Sequence, residues 1–373
     1  MKKLLILPGD GIGPEVTKQC INIIDFFNNR AYSKIEYEKD LFGGASIDDN
    51  GKPLNDIVLN KALDADAILL GAVGGPKWEN LDHEVKPESG LLKLRKELQT
   101  YANLRPGKVF KSLSDASSLK PEVLKDTDIF VVRELTGGIY FGEPRFSKKV
   151  DGKRVASNPL VYDEDEIVRV AKVAFDIARK RKNKVTSLDK ANVLEVMQLW
   201  RDVVTEVHNK DYQDIELEHL YIDNAAMQVI KRPSSFDVIL ASNLFGDIIS
   251  DEVAELTGSL GMLPSASVGE NKAIYEPVHG SAPDIAGQNI ANPIAAILSL
   301  SMMYKYSFNL DSISNIIEQA VANTLDSGLR TKDIGSNNQK ILNCDEMGDS
   351  ISVSYTHLRA HETLRYLVCR LLL

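Results

Sequence analysis

Cysteine is scarce in this 373-residue sequence: Cys20, Cys344 and Cys369 have neither the number nor the spacing of a disulfide framework or a structural zinc site. A reducing, cytoplasmic setting is expected. Surplus positive charge is missing too. Lys plus Arg total 44 against 53 Asp plus Glu, a net charge of −9, so the chain is expected to bind neither nucleic acid nor membrane. No charge-free apolar stretch reaches the length of about eighteen residues that a membrane span needs. The nearest, Ile290 to Ser307, is opened by Asn292-Pro293 and interrupted by Lys305, so it reads as a buried helix. Leu4 to Leu7 is too short for the apolar part of an export signal, and secretion is not expected. The sequence also lacks a P-loop. Its first glycine cluster, Gly9-Asp-Gly-Ile-Gly-Pro14, fails the Gly-x-Gly-x-x-Gly pattern because Pro14 takes the last glycine's place.

What is present is the material of a well-packed α/β protein of one large or two medium domains, with 43% hydrophobic residues. Leu4 to Leu7 predicts a strand, Gly9 to Gly13 a tight turn, and Pro14 the start of a helix with Val16, Cys20, Ile23, Ile24 and Phe27 on one face. Ala67 to Leu70, Ile129 to Val132 and Val238 to Ala241 are short apolar runs that need cover on both faces. Helical periods recur at Glu166 to Lys180, Ala191 to His208, Leu244 to Leu256 and Ile313 to Leu325. Between them, Ile139 to Val161 is polar and rich in turns, either a surface hairpin or an arm reaching a partner subunit.

Several residues could carry chemistry. Asp247 and Asp251 stand four apart, so a helix would place both on one face. They are suited to Mg²⁺ or Mn²⁺ if they are ligands, and are an ordinary solvated pair if not. Asp223 sits where a strand-like run meets a helical one, as a ligand or a cap. Lys190 and Asn192 occupy a similar edge, where an isolated lysine is usually just solvated. Arg95, Arg105 and Arg133 offer planar forks that would read a polycarboxylic acid if they converged. From its own surroundings Arg95 fits a separate surface salt bridge, whereas Arg133 ends a strand, where open α/β sheets bind ligands. In Glu276-Pro-Val-His279-Gly-Ser-Ala-Pro-Asp284-Ile-Ala-Gly287, followed by Asn292, a loop could wrap an adenosine. Asp284 could accept both ribose hydroxyls there and repel a ribose phosphate; His279 could equally be packed and hydrogen-bonded.

Taken together, Leu7-Pro-Gly-Asp-Gly-Ile-Gly-Pro-Glu-Val16, Leu104-Arg-Pro106, Glu134-Leu-Thr-Gly-Gly-Ile-Tyr-Phe-Gly142, Asn243 to Asp251 and His279-Gly-Ser-Ala-Pro-Asp284 resemble, in family order, the β-decarboxylating dehydrogenases. These are the isocitrate/isopropylmalate dehydrogenases, and the resemblance runs from about Leu4 to Ser350. It implies an open α/β fold with parallel and mixed sheets, distinct from a Rossmann domain, in two domains. Residues 1–100 with 257–352 would bear the cofactor, and 101–256 would form a central substrate and dimerisation domain with an arm at 140–161. It further implies NAD-dependent oxidative decarboxylation of a small 2-hydroxy dicarboxylic acid, 3-isopropylmalate in leucine biosynthesis. The enzyme would be a homodimer with shared active sites.

By the same resemblance, Arg95, Arg105 and Arg133 would hold the substrate carboxylates. Asp247 and Asp251 of one chain with Asp223 of the other would hold Mg²⁺ or Mn²⁺, Lys190 would take the C2 hydroxyl proton, and Tyr140 would protonate carbon after CO₂ leaves. Glu276, His279, Gly280, Ser281, Ala282, Pro283, Asp284, Ile285 and Asn292 would bind NAD. Leu91, Leu92 and Val193 would enclose an isopropyl group and reject a third carboxylate by its desolvation cost. Homoisocitrate, tartrate and D-malate are the rival substrates, and a non-catalytic metabolite-binding protein on the same scaffold is the rival class. Residues 353–373, with Arg359, Arg365 and Arg370, do not match the body in composition, and are expected to be an assembly scar or else a short added helix.

Overall fold

The computed structural model describes residues 1–336 and 339–356. Its strands of four or more residues, in chain order, are β1 (Lys2–Gly9), β2 (Ile35–Lys39), β3 (Ala67–Ala72), β4 (Ala102–Lys108), β5 (Asp128–Glu134), β6 (Phe146–Val150), β7 (Lys153–Ser157), β8 (Lys184–Asp189), β9 (Glu216–Tyr221), β10 (Val238–Ala241), β11 (Pro264–Val268) and β12 (Ala273–Pro277). Ten of them form one sheet in the order β2-β1-β3-β12-β11-β4-β5-β10-β8-β9. Pairing is parallel except where β11 meets β12 and β4, and where β4 meets β5. Two parallel blocks therefore run in opposite senses, joined by antiparallel strands at the centre.

The apolar runs become central strands because helices cover both faces of the sheet. Every residue of β3 and of β10 is buried, as continuous hydrophobic strands in a helix-flanked sheet require. The helix Gly13–Asn29 starts with Pro14 in its first turn, where a missing N–H costs nothing, and buries the expected face through Val16, Cys20, Ile23, Ile24 and Phe27. Ile294–Tyr306 is a helix buried on all sides from Ile294 to Tyr304, and the Asn292 side chain accepts the Ile294 N–H at its start. Among the described residues, no helix is long and apolar enough to cross a membrane.

Two expectations change in detail. The helix foreseen from Ala191 begins only at Glu195. Residues 190–194 turn instead, with the Lys190 carbonyl accepting the N–H groups of Val193 and Leu194. The polar stretch around 140–161 forms the β6–β7 hairpin, paired from Phe146 with Ser157 to Val150 with Lys153. Its strands are exposed almost throughout, including Phe146, Val150 and Val155.

A helix runs over 344–356 and so takes in the first four residues of the compositionally odd segment. Met347, Ile351 and Tyr355 recur every fourth position and are buried. The Tyr355 ring lies 4.5 Å from Phe26 and 5.6 Å from Phe27, edge-on to the first and tilted against the second. Residues 357–373 lie outside the described residues. Tyr355→Ala is expected to cost about 3–5 kcal/mol, the usual range for emptying a buried aromatic site, read as a lowered thermal midpoint. An unchanged midpoint would show that this turn docks nothing.

Candidate active site

Most candidate residues follow the carboxyl ends of the parallel strands, with Arg105 inside β4 and Arg95 on the helix Pro87–Glu97, and glycine decides how closely some of them approach. Gly11 follows β1 with φ +57°, and a Cβ there would lie 1.9 Å from the Ser281 carbonyl oxygen. That oxygen accepts the Ile12 N–H at 2.8 Å, so the glycine turn and the 278–287 loop are fastened backbone to backbone. Gly11→Ala is expected to destabilise the chain by about 1–3 kcal/mol and to weaken dinucleotide binding, seen by melting and by titration with the cofactor. Equal affinity in the variant would leave this turn without a part in dinucleotide binding. Beside it, the buried Asp10 carboxylate accepts the N–H groups of Gly44, Ala45 and Gly74, each at 2.8 Å. Burial nevertheless holds its proton affinity above the ordinary carboxylate range.

In the 278–287 loop, Gly280, Pro283 and Asp284 are exposed while Ser281 is buried. His279 Nδ1 lies 2.9 Å from the Gly280 carbonyl and Nε2 is buried with no hydrogen-bond partner in the chain. Burial holds its pKa down. An exposed carboxylate on a loop pinned to the first glycine turn, with an unpartnered imidazole nitrogen behind it, fits the adenosine end of a dinucleotide. Two further residues expected to bind NAD have partners within the chain. Asn292 turns inward, its amide donating to Asp333 at 3.0 Å and accepting from Ile294. Glu276, on β12, is buried and paired with Arg95 at 2.6 Å.

That last contact replaces the separate surface salt bridge foreseen for Arg95, since both side chains are about one-tenth exposed. Arg105 and Arg133 converge on Asp247, and Arg95 is near enough for its charge to act on both. Arg105, on β4, donates to Asn103 Oδ1 at 2.5 Å and to Ser250 Oγ at 2.6 Å, and lies 3.4 Å from Asp247 and 3.7 Å from Asp251. Arg133, at the end of β5, pairs closely with Asp247 and donates to Asn243 Oδ1 at 2.8 Å. Gly246 allows this approach, because a Cβ there would stand 2.6 Å from Arg133 Cγ.

Burial, the Arg105 guanidinium and Arg95 push the Arg133 pKa down to about 9, against the pull of Asp247. Burial lowers that of Arg105 as well. Burial also raises the Asp251 pKa despite Arg105, and Asp247 adds to the rise. A cation could relieve that crowding of negative charge. Asn103, Asn243 and Ser250 fix the two guanidinium forks; Asn103 stands outside the motifs quoted above, and the 243–251 motif contains Asn243 and Ser250 without assigning them this role. The buried Glu134, which opens the 134–142 motif, accepts from Thr136 and Gly137 and shapes the turn before Tyr140, a role the motif alone does not assign.

Tyr140 donates to Asp247 Oδ2 at 3.1 Å, and burial, then Asp247, raises its pKa. Lys190 and Asp223 form a separate centre. The ammonium lies 2.9 Å from the Asp223 carboxylate, whose pKa this hydrogen bond lowers. No ion pair or hydrogen bond joins them to Asp247 or Asp251, and no three acidic, histidine or cysteine side chains converge as a metal-binding group among the described residues. One chain thus brings together two of the three acids assigned to the cation. Leu91 and Leu92 are half-buried on the helix that carries Arg95, and Val193 is 69% exposed in the turn after Lys190.

A family model for isocitrate/isopropylmalate dehydrogenase matches residues 3–351. The curated 3-isopropylmalate dehydrogenase of Pelagibacter ubique is 55% identical over 357 residues, 94% of this chain and 97% of its own. That of Aquifex aeolicus is 54% identical over 357 residues, 96% and 98% of the two chains. Among solved structures, the isocitrate dehydrogenase from Methylococcus capsulatus superposes with a TM-score of 0.85 at 31% identity, covering 95% of this chain and 99% of that one. These likenesses extend over the sheet, the arginine cleft and the glycine turn alike, and the chain belongs to the isocitrate/isopropylmalate dehydrogenase family.

Proposed function

We propose that this chain catalyses the oxidative decarboxylation of (2R,3S)-3-isopropylmalate to 4-methyl-2-oxopentanoate and CO₂ in leucine biosynthesis, using NAD and Mg²⁺ or Mn²⁺, as a cytoplasmic homodimer. The observation that carries it is the meeting of buried Arg105 and Arg133 at Asp247, with Asp251 alongside. Cationic forks for a dicarboxylate and hard oxygen ligands for a divalent ion occupy one cleft. The curated relatives bearing this substrate in their names support the choice of acid, as do the half-buried Leu91 and Leu92 on the helix that carries Arg95.

Arg95, Arg105 and Arg133 bind and orient the two carboxylates. Lys190 accepts the C2 hydroxyl proton as hydride leaves C2 for the nicotinamide. Asp247 and Asp251, with the partner's Asp223, would hold the cation, which supplies Lewis-acid polarisation at the C2 oxygen. Tyr140 Oη, held in the cleft by its hydrogen bond to Asp247, gives a proton to C3 after CO₂ departs. Asp284, on the exposed loop, favours NAD over NADP by repelling a ribose phosphate.

Sharing between two chains is supported by where the acids lie. Asp223 is on the helix Ile222–Lys231 and the other two on Asn243–Leu256, helices that pack together. Their surfaces expose Met227, Ile230 and Ile248. An exposed apolar patch beside polar site residues is what a subunit interface needs. Together with the hairpin, this patch points to a division into a cofactor-bearing part, residues 1–100 with 257–352, and a central dimerisation part, 101–256.

The test is reduction of nicotinamide followed by absorbance with 3-isopropylmalate, NAD and either cation, repeated with NADP, D-malate, homoisocitrate and tartrate. Turnover fastest with 3-isopropylmalate and NAD is expected, and a signal no higher than buffer for every acid would overturn the enzymatic reading. Tyr140→Phe is expected to slow release of the final 2-oxo acid more than it weakens NAD binding. Normal product formation in that variant would remove Tyr140 from the proton path.

A further inference from the structure

Asp189 ends β8 one residue before Lys190 and is completely buried. Its carboxylate accepts Arg201 Nε at 2.8 Å and a terminal guanidinium nitrogen at 3.0 Å, a two-pronged pair, and also the Ala191 N–H at 3.0 Å. The residues on either side of Lys190 are therefore tied to each other through this carboxylate. The Lys190 carbonyl is held by the N–H groups of Val193 and Leu194, so the backbone that presents the amine is fixed from both directions.

Arg201 also stacks over the Tyr221 ring, 5.0 Å from its centroid, and the Lys190 ammonium lies 6.0 Å from the same ring. Tyr221 closes β9 two residues before Asp223. The chain Asp189, Arg201, Tyr221 thus links the turn bearing the amine to the helix start bearing its carboxylate partner.

Arg201 has no substitute in this role. His219 Nδ1 is 3.9 Å from Asp189 and makes no hydrogen bond, while Nε2 lies 3.1 Å from Thr205 Oγ1. That hydroxyl donates its own proton to the Arg201 carbonyl at 2.7 Å, so it accepts from Nε2–H and leaves the neutral ring's Nδ1 lone pair facing the carboxylate. A buried carboxylate without a cation is strongly unfavourable. Arg201 is the cation that faces the Asp189 carboxylate and fixes its orientation.

We propose that the buried Asp189–Arg201 fork is a positioning device for the reaction, holding the Lys190 amine in register with Asp223 without touching substrate or cofactor. The inference rests on the reading of Lys190 as the proton acceptor.

The test compares Arg201→Ala, Arg201→Lys and Lys190→Ala with the double variant Lys190→Ala/Arg201→Ala, as full chains assayed with 3-isopropylmalate, NAD and Mg²⁺. Displacing a reacting group by about 1 Å costs on the order of a hundredfold in rate. Arg201→Ala should accordingly lose kcat by about tenfold to a hundredfold with the KM values for acid and NAD little changed. Millimolar guanidinium should restore part of the loss, and equimolar urea should not. Arg201→Lys, which keeps the charge but loses the planar fork, should fold normally and fall between wild type and the alanine variant. That variant carries the test if the alanine form fails to fold. In the Lys190→Ala background, Arg201→Ala should cost nothing more. Unchanged kcat in both Arg201 variants, a change confined to KM, or a full additional loss in the double variant would overturn the positioning role alone. Retention of kcat by Lys190→Ala would remove the proton-acceptor reading and this inference together.

Discussion

Lys190→Ala is expected to lower kcat by about 10²–10⁴-fold, the usual contribution of a positioned general base, with little change in KM for the acid or in thermal midpoint. The amine's one ion pair is with Asp223, whose side chain is 64% exposed, and pairs of this kind add little to folding. Loss of rate without loss of fold is therefore the signature of a chemical role here. Steady-state kinetics at saturating NAD, beside a melting curve, decide it. A kcat within tenfold of wild type would assign the C2 proton to some other group. In the proposed homodimer the turn that holds Lys190 beside Asp223 reaches the neighbouring subunit's cleft along with it, so mixing Lys190→Ala with Asp251→Asn chains in equal amounts should leave about a quarter of all clefts intact. Regeneration would not follow if each cleft used its own lysine.

Asp247→Asn is expected to damage both stability and turnover, because that one carboxylate faces Arg133, Arg105 and the Tyr140 hydroxyl. The two guanidinium side chains are only 4% and 7% exposed, so removing their shared counter-charge leaves buried cations poorly compensated. Breaking such a pair costs about 3–5 kcal/mol when fully buried, and about 2–4 kcal/mol is expected here, since Asp247 itself is one-third exposed. The divalent-ion requirement should rise together with the loss of kcat/KM. Asp251→Asn is the control. Its carboxylate is 58% exposed and stands 3.7 Å from Arg105, so it should weaken the ion's effect while moving stability by less than about 1 kcal/mol. Equal thermal midpoints for the two variants would mean that Asp247 is not the counter-charge of the arginine cluster.

Much of the architecture was legible because it is written locally. Alternation of short apolar runs with 3.6-residue periods marks strands and helices, and Val238–Ala241 comes out with the bounds that the pattern predicts. The start of the helix after Lys190 was not legible. It depends on Asp189 capturing the Ala191 N–H, a choice made by Arg201 twelve positions away. The site shows the same division. The ordered motifs identify Arg105, Arg133, Asp247 and Asp251 by resemblance, but no local rule says that Asn103, Asn243 and Ser250 will aim the arginines. Arg133 and Asn243 stand 110 residues apart, and Arg105 and Ser250 145. The Arg95–Glu276 pair spans 181 residues, which is why Arg95 looked like a surface group in its own neighbourhood.

The sheet that unites the two strand blocks is unevenly laced. β4 and β5 are in register over seven residue pairs, β11 and β4 over three, and β12 and β3 over two, Ile274 with Ile68 and Tyr275 with Leu69. A torque between the two ends of the molecule meets the least shear resistance at the seam with the fewest rungs. The sheet then works as a torsion spring whose softest coil lies between β3 and β12, so an applied twist is taken up there before it strains the longer seam of β4 and β5.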